Sequence, residues 1–233
     1  MSISFYFDPS CPWCWITSRW LTEVQQARDI EIDWLPFSLA LKNGELGGED
    51  VTGHLDTHTI AHKVLRLTEA IHADTGISRG ELFTEFGKSY FIDPKLDDEN
   101  FTAAVLERMD LSSDYLVQLD NTDLDRQLQQ HLDNAIEVAG DDVGVPLIVF
   151  ETEAGERVGY FGPVIARMPD PERGLEIWDS LYTIATGPDF FELKRARTSR
   201  SKVKTTKRLF SELSRYSFSR RVWLRRRRSA ASR

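Results

Sequence analysis

The stretch that decides the fold is residues 5–15, which read Phe5-Tyr6-Phe7-Asp8-Pro9-Ser10-Cys11-Pro12-Trp13-Cys14-Trp15. The apolar run from Ile3 to Phe7 predicts a first β-strand, and a helix is expected to begin at Cys11. Pro12 suits the first helical turn, because that position needs no backbone N–H. Residues three apart share one face of a helix, so the sulfur atoms of Cys11 and Cys14 can meet. The stretch therefore predicts a strand, a short loop and a helix that begins with a dithiol.

Cys11 and Cys14 are the only cysteines in the chain. Free backbone N–H groups and the positive end of the helix dipole meet at the start of a helix, and both favour a thiolate over a thiol. A free cysteine titrates near ~8.5, and this placement in a Cys-x-x-Cys motif lowers the pKa by about one to several units. We therefore predict that Cys11 is the attacking thiolate and that Cys14, one turn deeper, is the resolving thiol.

Three other interpretations of the cysteine pair compete with redox chemistry. A zinc site needs further ligands, and the chain has no second cysteine pair. A structural disulfide is unexpected in a chain that shows no export signal. Two buried and inert cysteines form the third alternative. Redox chemistry is favoured because Cys-x-x-Cys beside a βαβ pattern is typical of thioredoxin-like proteins.

The charge of the 233-residue chain is divided unevenly along its length. Residues 194–233 carry 16 Lys or Arg and one acid, Glu212, whereas residues 1–193 carry 13 basic and 36 acidic residues. An acidic body of this kind fits either a high-salt source or an ordinary acidic cytosolic protein. No run of 18 apolar residues occurs, and the N-terminus enters a strand without a basic segment and cleavage site. We therefore expect a cytoplasmic protein with no membrane span.

Hydrophobic spacing predicts the order of the remaining elements. A helix over 15–27 and a strand over 30–35, ended by Pro36, complete a βαβ unit with parallel strands. Residues 37–50 are expected to form a loop. Helices are expected over 52–75, 79–91, 98–109, 112–119 and 121–139, with Asp97, Ser112 and Asn121 as caps. A strand at 147–150, its hairpin partner at 157–161 and a helix over 171–186 follow.

This order predicts an α/β fold class: a thioredoxin fold with an inserted, all-helical subdomain. The predicted thioredoxin-like domain is discontinuous and comprises residues 1–43 and 141–193. The helical insertion covers residues 44–140. Residues 194–233 are expected to form a basic, disordered C-terminal tail.

Val145 and Pro146 precede the third strand and form the next candidate site. X-Pro bonds adopt the cis form at modest cost, and a cis bond here would present the backbone of Val145 to a substrate beside Cys11. The residues alone leave the cis and trans forms equally open.

Three histidines, His54, His58 and His62, follow one another at four-residue spacing on the predicted long helix. A pair at this spacing can bind a metal, but the third ring rotates off the face and no glutamate completes a known pattern. We expect no metal site and predict a polar, partly exposed helix face, from which one histidine could line the substrate cleft.

The basic tail allows two kinds of interpretation. Its aromatic and basic residues alternate in a way that would suit binding to nucleic acid or another anionic surface. The favoured alternatives are a disordered tail that folds back on the acidic body, or a non-native extension.

Several segments together resemble one family. They are residues 7–20 around the dithiol, Ser38-Leu39-Ala40-Leu41-Lys42-Asn43, Gly144-Val145-Pro146, Tyr160-Phe161-Gly162-Pro163 and Phe190-Phe191-Glu192-Leu193-Lys194-Arg195. The chain resembles the DsbA-family thioredoxin-fold oxidoreductases of the actinobacterial mycothiol-dependent nitroreductase group. The resemblance covers about residues 3–198 and is most specific at the first segment.

The resemblance implies a cytosolic homodimer that takes electrons from a low-molecular-weight thiol, mycothiol, and can reduce nitro compounds. No bound cofactor is implied. Cys11 matches the family's nucleophile and Cys14 its partner. The expected substrate-binding residues are Pro12, Trp13, Asn43, Val145 and Pro146, and Pro146 matches the family's cis-proline.

One departure from the family concerns a tyrosine that lines its cleft early in the insertion. Residues 44–62 contain no tyrosine, and His54 or His58 is the nearest ring. This departure bears on the specificity for nitro substrates more than on the dithiol chemistry. The alternative functions are a DsbA-type protein disulfide oxidase or isomerase, an enzyme like the kappa-class glutathione transferases, and a non-catalytic protein that binds anionic surfaces through its tail.

Overall fold

The computed structural model of this chain describes residues 1–48, 54–93, 100–152 and 154–203. Its strands are β1 (Ser2–Phe7), β2 (Glu31–Pro36), β3 (Leu147–Glu151) and β4 (Arg157–Phe161), and they form one sheet in the order β2-β1-β3-β4. β1 runs parallel to β2 and antiparallel to β3, and β4 is the antiparallel partner of β3. The predicted βαβ unit and the predicted hairpin are therefore confirmed.

Helix α1 (Pro12–Arg28) connects β1 to β2, and α7 (Pro171–Ala185) follows β4. The chain between β2 and β3 is mainly helical. It contains α2 (Leu39–Lys42), α3 (Leu55–Thr75), α4 (Arg79–Gly87), a π-helical turn (Lys88–Ile92), α5 (Phe101–Arg108), two 3₁₀ segments (Ser113–Asp120 and Thr122–Leu124) and α6 (Asp125–Ala139).

The local signals for helix ends have mixed outcomes. Ser112 and Asn121 cap their 3₁₀ segments through side-chain oxygens, as predicted, whereas Asp97 lies outside the described residues. Gly76 ends α3 in the left-handed conformation, with φ 72°, which glycine adopts at little cost. The loop predicted for 37–50 is wrong for residues 39–42. There Ser38 starts a short helix by accepting a hydrogen bond from the N–H of Leu41.

The main core packs the sheet against α1, α6 and α7 and includes Leu65 of α3 and Phe83 of α4, and it encloses β1 from Phe5 to Phe7. A second core lies within the helical segment and consists of Val64, Leu67, Ile71, Leu82, Phe86, Phe101, Val105 and Leu106. Phe7 stacks on Phe83 of α4, with ring centroids 4.2 Å apart. The strand that leads into the dithiol is therefore packed directly against the helical segment.

The chain after α7 forms a strap of residues 187–203 that lies against the rest of the protein. The hydroxyl of Tyr160 donates to the carbonyl of Phe190, and the N–H of Lys202 donates to the carbonyl of Ala166 over 2.7 Å. Val203 packs against the main core. The predicted tail begins within this strap, and of its described residues Lys202 and Val203 make these contacts, while residues 194–200 are exposed. Residues 204–233 lie outside the described residues.

Candidate active site

The first turn of α1 positions the dithiol. Cys11 is the N-cap residue, with an extended backbone (φ −79°, ψ 110°), and Pro12 occupies the first helical position. The N–H of Cys14 donates to Sγ of Cys11 over 3.4 Å, so the sulfur takes the place of a capping oxygen. The N–H of Cys11 in turn donates to the carbonyl of Asp8. The backbone thus directs a hydrogen-bond donor at the outer sulfur.

The two thiols have pKa values that are shifted in opposite directions. A hydrogen bond from the Cys14 thiol lowers the pKa of Cys11, although burial and the charge of Asp8 oppose this effect. Burial raises the pKa of Cys14 well above its ordinary value. Cys11 is 7% exposed and Cys14 is 0% exposed, and both are free cysteines. The outer sulfur therefore ionises first and is the one that solvent can reach.

Val145 and Pro146 face the dithiol from the loop before β3. The bond between them is cis, which confirms that form for this position. Both residues are buried, and the carbonyl oxygen of Val145 lies 3.7 Å from Sγ of Cys11, as an acceptor for the thiol. A second cis bond joins Gly162 to Pro163, where the sequence predicted only the end of a strand.

A buried carboxyl group, that of Asp8, lies three residues before Cys11. Its oxygens accept hydrogen bonds from the N–H of Ser10 over 2.8 Å and from the N–H of Leu39 over 2.9 Å. Burial raises the pKa of Asp8, and the hydrogen bonds and the charge of His58 only partly offset that rise. Within the described ranges, Asp8 forms no ion pair. Its negative charge acts on both cysteines and raises the pKa of each.

The histidines of α3 do not form the partly exposed face that was predicted. His54 is exposed, but His58 and His62 are buried. Nδ1 of His58 lies 2.6 Å from Oε2 of the buried Glu45. The prediction failed because acidic and polar partners far along the chain enclose the two rings.

His62 is held by partners on two other helices. Its ring nitrogens lie 2.9 Å from Oγ of Ser38 and 2.9 Å from Oδ1 of Asp125, whose carboxylate also binds Arg66 through two hydrogen bonds. Burial lowers the pKa of His62. Among the described residues, no three His, Cys, Asp or Glu side chains are grouped so that they could hold a metal ion.

The other two predicted substrate-binding residues lie in different settings. Trp13 is half-buried, and the guanidinium carbon of Arg197 lies 5.3 Å from the centroid of its ring. Asn43 is half-buried and ends α2 through its backbone N–H. No hydrogen bond among the described residues joins the Asn43 side chain to the dithiol.

A cleft opens beside the loop that precedes Cys11. It is a narrow, partly open cleft between that loop and the helical segment, with a cavity volume of about 20 Å³. Its lining is mostly apolar and aromatic and consists of Pro9, Ser10, Thr57, Ile60, Ala61, Val64, Phe86, Tyr90 and Phe101. The cleft therefore offers a mainly apolar surface beside the loop that leads into the dithiol.

Residues 10–195 match the family described as Rv2466c-like, mycothiol-dependent nitroreductase Rv2466c. The chain belongs to this family. A curated relative, the uncharacterized protein Rv2286c of Mycobacterium tuberculosis (strain ATCC 25618 / H37Rv), is 28% identical over 209 residues, which are 84% of this chain and 83% of the relative. The resemblance stated from the sequence is thereby confirmed.

Solved structures of similar fold are far more distant in sequence. The cytosolic disulfide reductase DsbM from Pseudomonas aeruginosa is 12% identical, with a TM-score of 0.52 over 79% of this chain and 100% of that one. 2-Hydroxychromene-2-carboxylate isomerase is 15% identical, with a TM-score of 0.53 over 78% of this chain and 95% of that one. The probable DsbA oxidoreductase SCO1869 from Streptomyces coelicolor is 16% identical, with a TM-score of 0.50 over 84% of this chain and 100% of that one. At these identities the likeness concerns the fold alone, and it confirms the predicted DsbA-like fold class.

Sequence reasoning missed the buried charges around the dithiol. Asp8 was expected only as part of the short loop before Cys11, and Glu45 only as part of the loop over residues 37–50. The one available signal was an acid next to a Cys-x-x-Cys motif at the end of an apolar strand. Arg197 was assigned to a tail, and nothing in the sequence indicated that it would reach Trp13.

Proposed function

We propose that this protein is a thiol–disulfide oxidoreductase whose Cys11–Cys14 pair takes electrons from mycothiol and passes them to a small acceptor. The observation that carries the proposal is the geometry of the first turn of α1, where the N–H of Cys14 donates to Sγ of Cys11, Cys14 is fully buried, and the cis bond before Pro146 faces the pair. A nucleophilic thiolate at Cys11 and a protonated thiol at Cys14 are the two states that a dithiol reductase needs at the start of its cycle. The family match supports mycothiol as the proposed donor.

The proposed cycle moves two electrons. The Cys11 thiolate attacks one sulfur of a disulfide acceptor, a new S–S bond forms, and the released thiolate takes up a proton. Cys14 then loses its proton, and its sulfur attacks Cys11 and expels the second half of the acceptor as a thiol. The product is a Cys11–Cys14 disulfide. Two molecules of mycothiol restore the dithiol and leave as their own disulfide.

The apolar cleft beside Pro9 and Ser10 supports a nitroaromatic acceptor as well. Its aromatic lining offers stacking surfaces to a flat ring beside the loop that precedes Cys11. Two electrons and two protons convert a nitro group into a nitroso group and water, so the dithiol can supply one such step per turnover. Pro12, Trp13, Asn43, Val145 and Pro146 are proposed to border the bound acceptor.

Three single variants test the proposal. Oxidised mycothiol is measured by mass spectrometry while the protein turns over a nitroaromatic acceptor with mycothiol as the donor. Cys11→Ser should abolish turnover. Cys14→Ser should slow it at least ~100-fold, and with oxidised mycothiol as a disulfide acceptor this variant should retain one mycothiol on Cys11 as a mixed disulfide, with the other half released as mycothiol. Ser4→Ala, a change away from the dithiol on β1, serves as a control that should keep full turnover.

Two results would contradict the proposal. Turnover by the Cys11→Ser variant would show that this sulfur is not the nucleophile. Full turnover by Cys14→Ser would remove the resolving role from Cys14. If glutathione or cysteine replaced mycothiol with equal efficiency, the dithiol chemistry would stand and the choice of donor would be wrong.

The family resemblance also supports a homodimer and a cytoplasmic location as part of this proposal. Light scattering after gel filtration measures the oligomeric state directly. Among the described residues, no helix has the length and apolar character that a membrane crossing requires.

A further inference from the structure

Arg197 lies beside the dithiol motif, on the strap that follows α7. Its guanidinium group lies over the ring of Trp13, the residue between Pro12 and Cys14. On one side the strap is held by the bond from Tyr160 to Phe190, and on the other by the bond from Lys202 to Ala166. The strap between these two anchors is exposed, and the contact of Arg197 with Trp13 lies within that exposed stretch.

The guanidinium group of Arg197 keeps its hydrogen-bonding capacity. In the part of the chain that the structure describes, Arg197 donates no hydrogen bond and forms no ion pair, and the residue is exposed. The guanidinium carbon lies 5.3 Å from the ring centroid, a cation–π distance at which the N–H groups at the edge of the guanidinium plane can still bind a ligand. That edge is a planar fork of donors that matches a carboxylate or another oxyanion.

The charge around Arg197 favours the same type of ligand. Lys194, Arg195 and Arg200 lie on the same strap, and none of them forms an ion pair with a described residue. The body of the protein, by contrast, has 36 acidic and 13 basic residues over positions 1–193. An anion is therefore repelled by most of the surface and attracted to the strap beside Trp13.

We propose that Arg197 is a specificity-determining residue that binds a carboxylate or other oxyanion of the acceptor substrate while Cys11 attacks the acceptor. This inference rests on the proposed function, because it concerns the acceptor of the same dithiol. The electron transfer remains the two-electron exchange described above. Arg197 adds only a charged contact, and the anionic group of the acceptor is neither formed nor consumed.

Two disulfides of nearly equal shape test the role of Arg197. They are 3,3′-dithiodipropionate, which carries two carboxylates, and its uncharged diamide. The value of kcat/KM is measured for each disulfide with mycothiol as the donor, in the wild type and in the variants Arg197→Ala and Arg197→Lys. Arg173→Ala removes the same charge from an exposed arginine that is bonded to Glu176 on α7, and it is the matched control.

The diacid should lose about tenfold in kcat/KM in Arg197→Ala, while the diamide changes less than about twofold, because one charge-assisted contact to the carboxylate is lost. Arg197→Lys should retain part of the preference, since an ammonium group keeps the charge but not the fork. Added salt should reduce the wild-type preference for the diacid. Arg173→Ala should leave both values within about twofold of the wild type.

Equal losses for both disulfides in Arg197→Ala would overturn the inference, because Arg197 would then act only by holding Trp13. Unchanged values for both disulfides would overturn it as well. If the wild type reduces neither disulfide nor a nitroaromatic compound with mycothiol, the proposed function itself fails. The two failures are therefore distinguishable.

Discussion

Two buried carboxyl groups, Asp8 beside the dithiol and Glu69 in the helical segment, lie in opposite electrostatic settings. Both are 0% exposed. Asp8 receives hydrogen bonds from backbone N–H groups and a hydroxyl, and burial raises its pKa. Burial acts on Glu69 in the same direction, but the neighbouring His131 and Arg79 outweigh it and hold the pKa of Glu69 at about 2.

The difference lies in whether a buried carboxyl group has a bonded cation that compensates its charge. Glu69 is bonded through both oxygens to Arg79 and also accepts from Gln127, so its charge is compensated where it lies. Asp8 has no cation bonded to it among the described residues, and its charge is felt by both cysteines. A buried charge without a counter-ion costs stability and is retained where a reaction uses it.

The largest effect is expected from Glu69→Gln. This change leaves the largely buried Arg79 without its counter-ion and should lower the free energy of unfolding by about 3 kcal/mol at pH 7. The stabilisation from Glu69 is fully present above its ordinary titration range near ~4.3 and is lost as the pH falls toward 2. Urea unfolding at pH 7 and at pH 3 measures both effects.

The variant should therefore lose less stability than the wild type between pH 7 and pH 3. Glu107→Gln, an exposed position on α5, is the matched control and should change stability by less than about 0.5 kcal/mol. A Glu69→Gln protein as stable as the wild type would show that Glu69 and Asp8 do not differ in the way described.

An intermediate effect is expected where the two regions meet. A Cβ atom at Gly87, at the end of α4, would lie 2.2 Å from the ring of Trp15, the residue after Cys14. Gly87→Ala should destabilise the protein by about 1–3 kcal/mol, because Trp15 is fully buried and has to shift. Calorimetry measures the stability of this variant and of the control Gly144→Ala. The added methyl group of the control meets only Phe161, at 3.9 Å, so the difference between the two variants reports the clash with Trp15. Equal stability of the two variants would contradict the close contact.

The smallest change in stability is expected from Asp8→Asn, which tests the other carboxyl group. The folded-state pKa of Asp8 is raised, so the wild type loses stability as the pH rises from the usual carboxyl range through that raised pKa. The variant has no such loss, but its amide group no longer accepts from both Ser10 and Leu39, which costs about 1–2 kcal/mol. Unfolding measured from pH 4 to pH 9 should therefore show a flatter profile for the variant.

The same substitution should lower the pKa of Cys11, because the charge of Asp8 raises it in the wild type. Thiolate absorbance in the far ultraviolet, followed against pH, measures this shift. Asp33→Asn, at an exposed position on β2, is the control and should leave the Cys11 titration unchanged. A higher Cys11 pKa in the Asp8→Asn variant would refute the electrostatic account of the site.

Local patterns were sufficient to predict the fold and the position of the dithiol. Alternation and helical spacing are properties of neighbouring residues, so β1, α1 and β2 could be placed from residues 2–36 alone. The environment of His58 could not be predicted in this way, because its partner Glu45 lies 13 residues away in the sequence. Asp125 and Arg197 likewise reach the residues they contact, His62 and Trp13, only after the chain has folded.

Two predictions failed for a related reason: the loop expected at residues 39–42, where a short helix forms, and the partly exposed face expected for the histidines. Asn43-Gly44 and Gly47-Gly48 are strong turn signals, and they obscured a capped turn of helix just before them. Helical spacing of polar side chains indicates a solvated face unless polar groups elsewhere in the fold cover it. Such cover is a tertiary property that a single stretch of sequence does not contain.

The complete enclosure of Cys14 has a consequence for oxidative damage. Peroxide that enters from solvent meets the sulfur of Cys11 and would leave a sulfenic acid there. The buried thiol of Cys14 lies next to this sulfenic acid and is shielded from reagents in solvent. Its condensation with the sulfenic acid to a disulfide therefore competes with irreversible oxidation of Cys11 to the sulfinic acid. An arrangement that hides one sulfur behind the other therefore also gives the exposed sulfur a way back to its reduced form.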